Sequence, residues 1–309
     1  MFNALRQILS ASLLAISLSH LPAYGQDNAS KANPPSAQKN IENEAQAANA
    51  AAIAAIREGP VEIKFTDQAV LALPKGYGFV PAAEAARVLK SMGNSPGEGL
   101  LGILLPDDET GGSWFVVANF EKSGYIKDDD AKNWNADELL TSLKEGTEAG
   151  NKERVARGIP EIEVVGWVET PRYEAATQRL IWAASTQPKH ATAAGKKGVN
   201  YNTYALGREG YISLNLVTAL GEVEAHKPVA KTLLGALTFN EGKRYADFNS
   251  STDKVAEYGL AALIGGIAAK KLGLLALGVA FFAKFAKIIA IGAVVAGGGF
   301  AKYFKSKRG

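Results

Sequence analysis

The alternation of apolar and polar positions marks out most of the elements. VEIKF (61–65) alternates, and AVLAL (69–73) follows before Pro74, so both read as strands. Pro81 opens a short helix that carries Ala85, Val88, Leu89 and Met92 on one side. LLGILL (100–105) and WFVVANF (114–120) are continuous apolar runs of strand length, bounded by turn clusters at Pro106-Asp107-Asp108 and Gly111-Gly112. A helix is expected between Asn135 and Gly158, with Asn135 as N-cap, Glu138 in the capping-box position, and Leu139, Leu140, Leu143 and Val155 as its buried side. Four strands come next. EIEVVGWVE (161–169) and QRLIWAAS (178–185) are separated by Thr170-Pro171-Arg172-Tyr173, while VNYNTYAL (199–206) and YISLNLVT (211–218) flank a four-residue hairpin connection, Gly207–Gly210. In the last strand Ile212, Leu214 and Leu216 face one way and Ser213 and Asn215 the other, the pattern of a half-buried antiparallel strand. Pro228 starts a final helix packing through Val229, Leu233 and Leu237. Hairpins interspersed with helices predict an α+β fold, an antiparallel sheet with helices packed against it.

Both ends of the chain break this pattern. MFNALRQ carries Arg6, the apolar run ILSASLLAISLSHL (8–21) comes next, and Pro22 precedes Ala23-Tyr24-Gly25, with small residues at −3 and −1. That is an export signal over 1–25, cut after Gly25; its apolar run is short of the ~20 residues a membrane span requires. Residues 26–58 are rich in Ala, Asn, Gln, Ser and Lys and read as a tether, whose second half, 41–56, has high helix propensity but only a thin apolar stripe and is expected to be a spacer. The self-contained α+β domain is expected over 59–245, exposed in the periplasm, and 246–309 as a membrane anchor with a basic tail. After the polar stretch KRYADFNSSTDK (243–254) the composition turns apolar, interrupted by Lys270-Lys271, Lys284 and Lys287. A C-terminal transmembrane helix is expected at about 272–295, its second-half lysines snorkelling to the headgroups. A lysine at the bilayer centre costs about 2.5–3.5 kcal/mol, which the surrounding Leu, Ile, Val and Phe offset. The tail KYFKSKRG suits the cytoplasmic side of an inner membrane, and an exported N-terminus then requires an odd number of spans, one being simplest. A helical hairpin formed by 256–269 and 272–301, or a basic amphipathic surface helix, are the alternatives.

Charge sharpens this division. Residues 256–309 hold eight Lys/Arg against one acid, Glu257, and Arg6 is another base, which leaves 25 bases against 30 acids on 26–255. The solvent-facing part is mildly acidic and argues against a nucleic-acid partner, whereas the basic end suits lipid headgroups. The absence of cysteine excludes disulfides, thiolate metal sites, a thiol nucleophile and a lipoprotein anchor.

Candidate chemistry is sparse. Outside the export signal the chain has only His190 and His226, neither with metal-ligand spacing, and no HExxH, GxSxG, phosphate-loop or dinucleotide glycine pattern occurs. No cofactor is implied. Lys127-Asp128-Asp129-Asp130 lacks the glycine and closing glutamate of an EF-hand and reads as an acidic, solvated loop. Glu161, Glu163, Glu169 and Glu174 could supply a carboxylate pair, but alternation explains Glu161 and Glu163 as one solvent-facing strand side. Trp167, Tyr173, Trp182, Tyr201 and Tyr204 read as core and cross-strand packing rather than a ligand platform. What stands out is the pair of connections that carry Arg172, Tyr173, Lys196 and Lys197. Loops held on a rigid sheet are where recognition residues concentrate, so these four form the candidate binding surface. The reading is a non-enzymatic binding or envelope-associated module that touches inner-membrane lipid and an envelope protein; the alternative is a membrane-anchored envelope hydrolase of unfamiliar type.

Four segments, SGYIKDDDAKNWNADELL (123–140), VVGWVETPRYEAATQRLIWA (164–183), VNYNTYALGREG (199–210) and KRYADFNSSTDKVAEYGLAAL (243–263), resemble the bacterial membrane-anchored family called domain of unknown function 2167. The resemblance covers the whole mature domain and its anchor. It implies an exported, membrane-anchored domain with no assigned activity, and it carries over no catalytic residue.

Overall fold

The computed structural model describes residues 35–92, 94, 96–107, 110, 112–132, 134–156, 158–190 and 197–265, with side chains from residue 43 onward. The chain runs α1 (Pro35–Ala55), β1 (Arg57–Glu58), β2 (Val61–Phe65), β3 (Ala69–Leu73), β4 (Tyr77–Pro81), α2 (Ala82–Ser91), β5 (Leu100–Pro106), β6 (Phe115–Glu121), a 3-10 turn (Asp129–Lys132), α3 (Ala136–Ala156), β7 (Ile162–Glu174), β8 (Arg179–Pro188), β9 (Gly198–Leu206), β10 (Tyr211–Ala219), α4 (Val223–Gly235), β11 (Leu237–Phe239) and the single turn α5 (Ala262–Gly265). Eight strands form one sheet in the order β1-β4-β5-β6-β10-β9-β8-β7, and β11-β3-β2 form a second. All strand pairs in both sheets are antiparallel, so the α+β class expected from the hairpins is the one observed.

The large sheet buries both faces. On the first, Ile212, Leu214 and Leu216 meet Ile63, Phe65 and Leu71 of the small sheet and Leu233 and Leu234 of α4. The second face carries two separate cores. Ala48 and Ala52 of α1 with Val88 and Leu89 of α2 cover Ile103, Phe115 and Val117 at one end. Leu139 and Leu143 of α3 with Leu260, Leu263 and Ile264 cover Leu180, Trp182 and Tyr204 at the other. Asn135 caps α3 as expected, its Oδ1 accepting the backbone N–H of Asp137 at 2.9 Å and of Glu138 at 3.4 Å.

Several elements differ from the pattern. The alanine-rich helix is no spacer, because its small face lets it lie close on α2, with Ala48 and Ala52 fully buried. β10 lies between β6 and β9, so Ser213 and Asn215 are buried although they alternate with the apolar side. Thr170–Tyr173 is not a turn: β7 continues to Glu174 through three register shifts against β8, and the reversal falls at residues 175–178. Such bulges twist and bend a strand and absorb the extra residues. Pro228 sits inside α4 rather than at its start, and Leu237 leaves that helix to pair with Leu71. Val155 is solvent-exposed.

Packing also continues past 245. The strap of residues 243–265 crosses one end of the sheet. Tyr125 stacks between Tyr245 and Phe248 at 4.4 and 3.9 Å between ring centres, and Arg208 grips Asp253 with two parallel bonds of 2.7 and 2.8 Å. No helix among the described residues is long and apolar enough to cross a membrane. The expected export signal (1–25), the span at about 272–295 and the basic tail lie outside the described residues.

Candidate functional site

The four segments set apart in the sequence converge on one end of the domain. The 123–132 loop runs beside the strap as a parallel bridge, Tyr125 to Val255: Tyr125 N–H donates to Lys254 O at 2.8 Å, and Ala256 N–H donates to Tyr125 O at 2.8 Å. A side chain at Gly124, whose φ is +94°, would place its Cβ 2.6 Å from Lys254 O, so this close approach requires glycine. The β9–β10 turn joins the same corner, with Gly124 N–H donating to Glu209 O at 3.0 Å and Arg208 N–H to Lys243 O at 2.9 Å. Asp130 completes the junction. Its two carboxylate oxygens accept the backbone N–H groups of Leu260 (3.1 Å) and Ala261 (2.9 Å) just ahead of α5. A Cβ on Gly259 would lie 2.5 Å from the same carboxylate. The acidic loop is thus a clamp on the strap rather than a solvated run.

Between this loop and the β7–β8 hairpin opens a pocket of about 370 Å³, walled by Asp128, Lys132, Trp134, Pro171, Arg172 and Tyr173. That volume is at the small end of the range for ligand sites. Tyr173 Oη donates to Asp128 Oδ2 at 2.8 Å. Burial, and then the neighbouring carboxylate, push the phenol far above its ordinary range, so it stays a donor. The Arg172 guanidinium is paired with Glu174 two residues on, on the same side of the strand, and that pairing raises its pKa. The pocket therefore presents an aromatic wall, a carboxylate held by a phenol, and cations at Lys132 and Arg172.

The four sequence-predicted residues do not form one surface. Arg172 and Tyr173 flank this pocket, whereas Lys197 precedes β9 at the far end of the sheet, where its carbonyl accepts the N–H of Leu220 at 2.9 Å. Arg172 pairs with Ile181, and the start of β9 pairs with Thr186, five residues away along β8. That separates the two ends by roughly 17 Å. Lys196 lies outside the described residues. Sequence reasoning missed Lys132 and Trp134, which no motif marks; their place beside the DDD run and the Asn135 cap was the available signal.

The carboxylates considered for hydrolysis are occupied by structural bonds. Glu163 accepts from Gln187 at 2.6 Å, Glu169 from the Tyr201 hydroxyl at 2.8 Å, and Glu161 lies 3.3 Å from Lys189. Tyr201 and Tyr204 sit on opposite faces of β9 in different cores, and Trp167 meets Trp182 edge-on at 5.9 Å. These aromatics pack rather than form a platform. His226 is buried with Nδ1 2.7 Å from the Thr218 hydroxyl. Among the described residues no three His, Asp or Glu side chains are grouped to hold a metal ion.

A family model described as "Protein of unknown function (DUF2167)" matches residues 57–296. No curated protein matches. Among solved structures, the chain is similar to the solution structure of cyanobacterial PsbP (CyanoP) from Synechocystis sp. PCC 6803, at 13% identity and a TM-score of 0.35, over 60% of this chain and 94% of that one. At that TM-score the likeness carries nothing about function.

Proposed function

The chain belongs to the DUF2167 family of proteins of unknown function, and we propose that it is a non-enzymatic binding module held at the outer face of a bacterial inner membrane. The observation that carries this reading is the corner itself: a pocket with charges of both signs and a tryptophan wall, built on the loop whose Asp130 clamps the strap leading into the C-terminal apolar segment. Such a pocket suits a polar, charge-bearing peptide segment of an envelope protein, with Trp134 and Pro171 against its apolar part and Asp128, Lys132 and Arg172 against its charges. In this reading residues 1–25 direct export, about 272–295 span the bilayer once, and the basic tail remains in the cytoplasm.

The test is photo-crosslinking in intact cells with p-benzoylphenylalanine in place of Lys132 and, as a control, in place of Lys64, an exposed position on β2. The proposal expects a recurrent protein adduct at 132 that is absent at 64 and lost when Trp134→Ala is added to a folded variant. The same adducts at both positions, or adducts indifferent to Trp134→Ala, would overturn it.

A further inference from the structure

Among the described residues the two sheets end in four edge strands, β1, β7, β11 and β2, and three of them are blunted. β1 and β11 are two and three residues long, and β7 carries Pro171 and three register shifts against β8. Short strands, prolines and bulges are devices that keep an edge from pairing with another chain. β2 has none of them. Its five residues pair with β3 without a shift, and Pro60, Val61, Glu62, Lys64, Thr66 and Asp67 are all exposed.

The bonding of β3 fixes which backbone groups of β2 are free. Ala72, opposite Glu62, donates its N–H to Ala236 O at 3.0 Å, away from β2. Opposed residues in an antiparallel pair bond to each other both ways or not at all, so Glu62 turns its N–H and C=O away from β3. Lys64, two residues on, does the same. Among the described residues no strand or loop backbone meets them on that side.

A strand that fills this edge meets a glutamate and a lysine two residues apart on the exposed face of the sheet. β2 itself is complementary to that pattern. Paired antiparallel with its own copy about Ile63, it sets Glu62 opposite Lys64 of the second copy, and does so twice. In the same register both of these are hydrogen-bonded pairs, which makes four backbone bonds across the two-fold axis. Moving the register by two residues opposes Glu62 to Glu62 or Lys64 to Lys64, and like charges directly opposite destabilise a strand pair. A one-residue move brings outward-turned groups against inward-turned ones. In the favoured register Val61, one of the exposed large apolar side chains, lies opposite Phe65 of the second copy and is covered.

We propose that the free edge of β2 is a two-fold interface with a second copy of this chain, which joins the two small sheets into one of six strands. Five residues a side make a small interface, of the weak and reversible class. This inference does not depend on the pocket.

The chain has no cysteine, so disulfide mapping between copies is direct. Two full-length chains with different tags, one carrying Glu62→Cys and the other Lys64→Cys, are co-expressed and oxidised in intact cells. A hydrogen-bonded pair has its Cα atoms about 5.5 Å apart, within the span of a disulfide. Position 62 lies roughly 8 Å from position 62 of the second copy, beyond the limit of about 7 Å. The proposal expects a link between the two tags and little from either variant expressed alone. Adding Glu62→Lys to the Lys64→Cys chain leaves lysines opposed at the remaining pair, and the linking rate should fall roughly threefold to tenfold. Adding Lys64→Glu to the Glu62→Cys chain as well should restore it, a rescue that damage to the fold would not give. No link between the tags, equal links from either variant alone, or a rate indifferent to these charges would each overturn the proposal. The photo-crosslinker at position 64 should give an adduct of two copies, distinct from the one expected at 132. An adduct there with a different protein alone would assign the edge to another chain and overturn the proposal as well.

Discussion

Ending the chain at residue 245 instead of 265 removes Leu260, Leu263 and Ile264, each at most 1% exposed, from the core beneath α3. Fully burying such a side chain is worth about 1.5–3 kcal/mol, so the three together contribute roughly 5–9 kcal/mol. The cut also strips the Asp130 carboxylate of the two N–H groups it accepts and leaves the Arg208 guanidinium without Asp253. Against a typical domain stability of about 5–15 kcal/mol, the loss is at least a large fraction of the whole. A 35–265 fragment is therefore expected to unfold in urea as one cooperative transition, followed by circular dichroism and by tryptophan fluorescence. A 35–245 fragment is expected to unfold non-cooperatively or to aggregate, because Leu139, Leu143 and Trp182 lose their cover. Coincident cooperative transitions with the same midpoint for both fragments would refute the reasoning and return the domain boundary to the polar stretch.

Single groups carry their own expected outcomes. Asp130→Ala in the 35–265 fragment should lower the free energy of unfolding by about 1–3 kcal/mol, the worth of a charged group satisfying backbone donors ahead of a helical turn, with faster amide exchange at Leu260 and Ala261 as the local readout. Gly259→Ala should destabilise the same junction, since its Cβ would lie 2.5 Å from the Asp130 carboxylate; an unchanged urea midpoint would contradict this. Burial pushes the His226 pKa below its ordinary 6.5. The unfolded chain then takes up the proton first, so this stability, full above about pH 6.5, falls as the pH drops toward the folded pKa. His226→Leu should accordingly flatten the pH dependence of the urea midpoint on the acid side of 6.5 relative to the parent. N-terminal sequencing of protein purified from membranes should begin at or near Gln26. A tag placed after Gly309 should survive protease added to spheroplasts while 26–265 is digested.

The sequence by itself determined the fold class and most strands. Period-two alternation at 61–65, unbroken apolar runs at 100–105 and 114–120, and the Gly207–Gly210 turn each fix a local structure through side-chain direction and backbone freedom, with little help from elsewhere. The Asn135 cap was legible for the same reason: its Oδ1 reaches N–H groups only two and three residues away. Tertiary structure decided what depends on partners distant in the chain. Ser213 and Asn215 read as solvent-facing because alternation reports two faces but not what covers them; a central position between β6 and β9 buries both. Arg172 and Tyr173 read as a loop because Pro171 breaks the pattern, yet β8 holds them in a bulged strand. Asp128 and Asp130 look alike in sequence; one meets a phenol 45 residues on, the other backbone amides 130 and 131 residues on. Likewise Arg172 and Lys197, both basic residues near strand ends, fall at opposite ends of the sheet, because their distance is set by strand register and not by the residues between them.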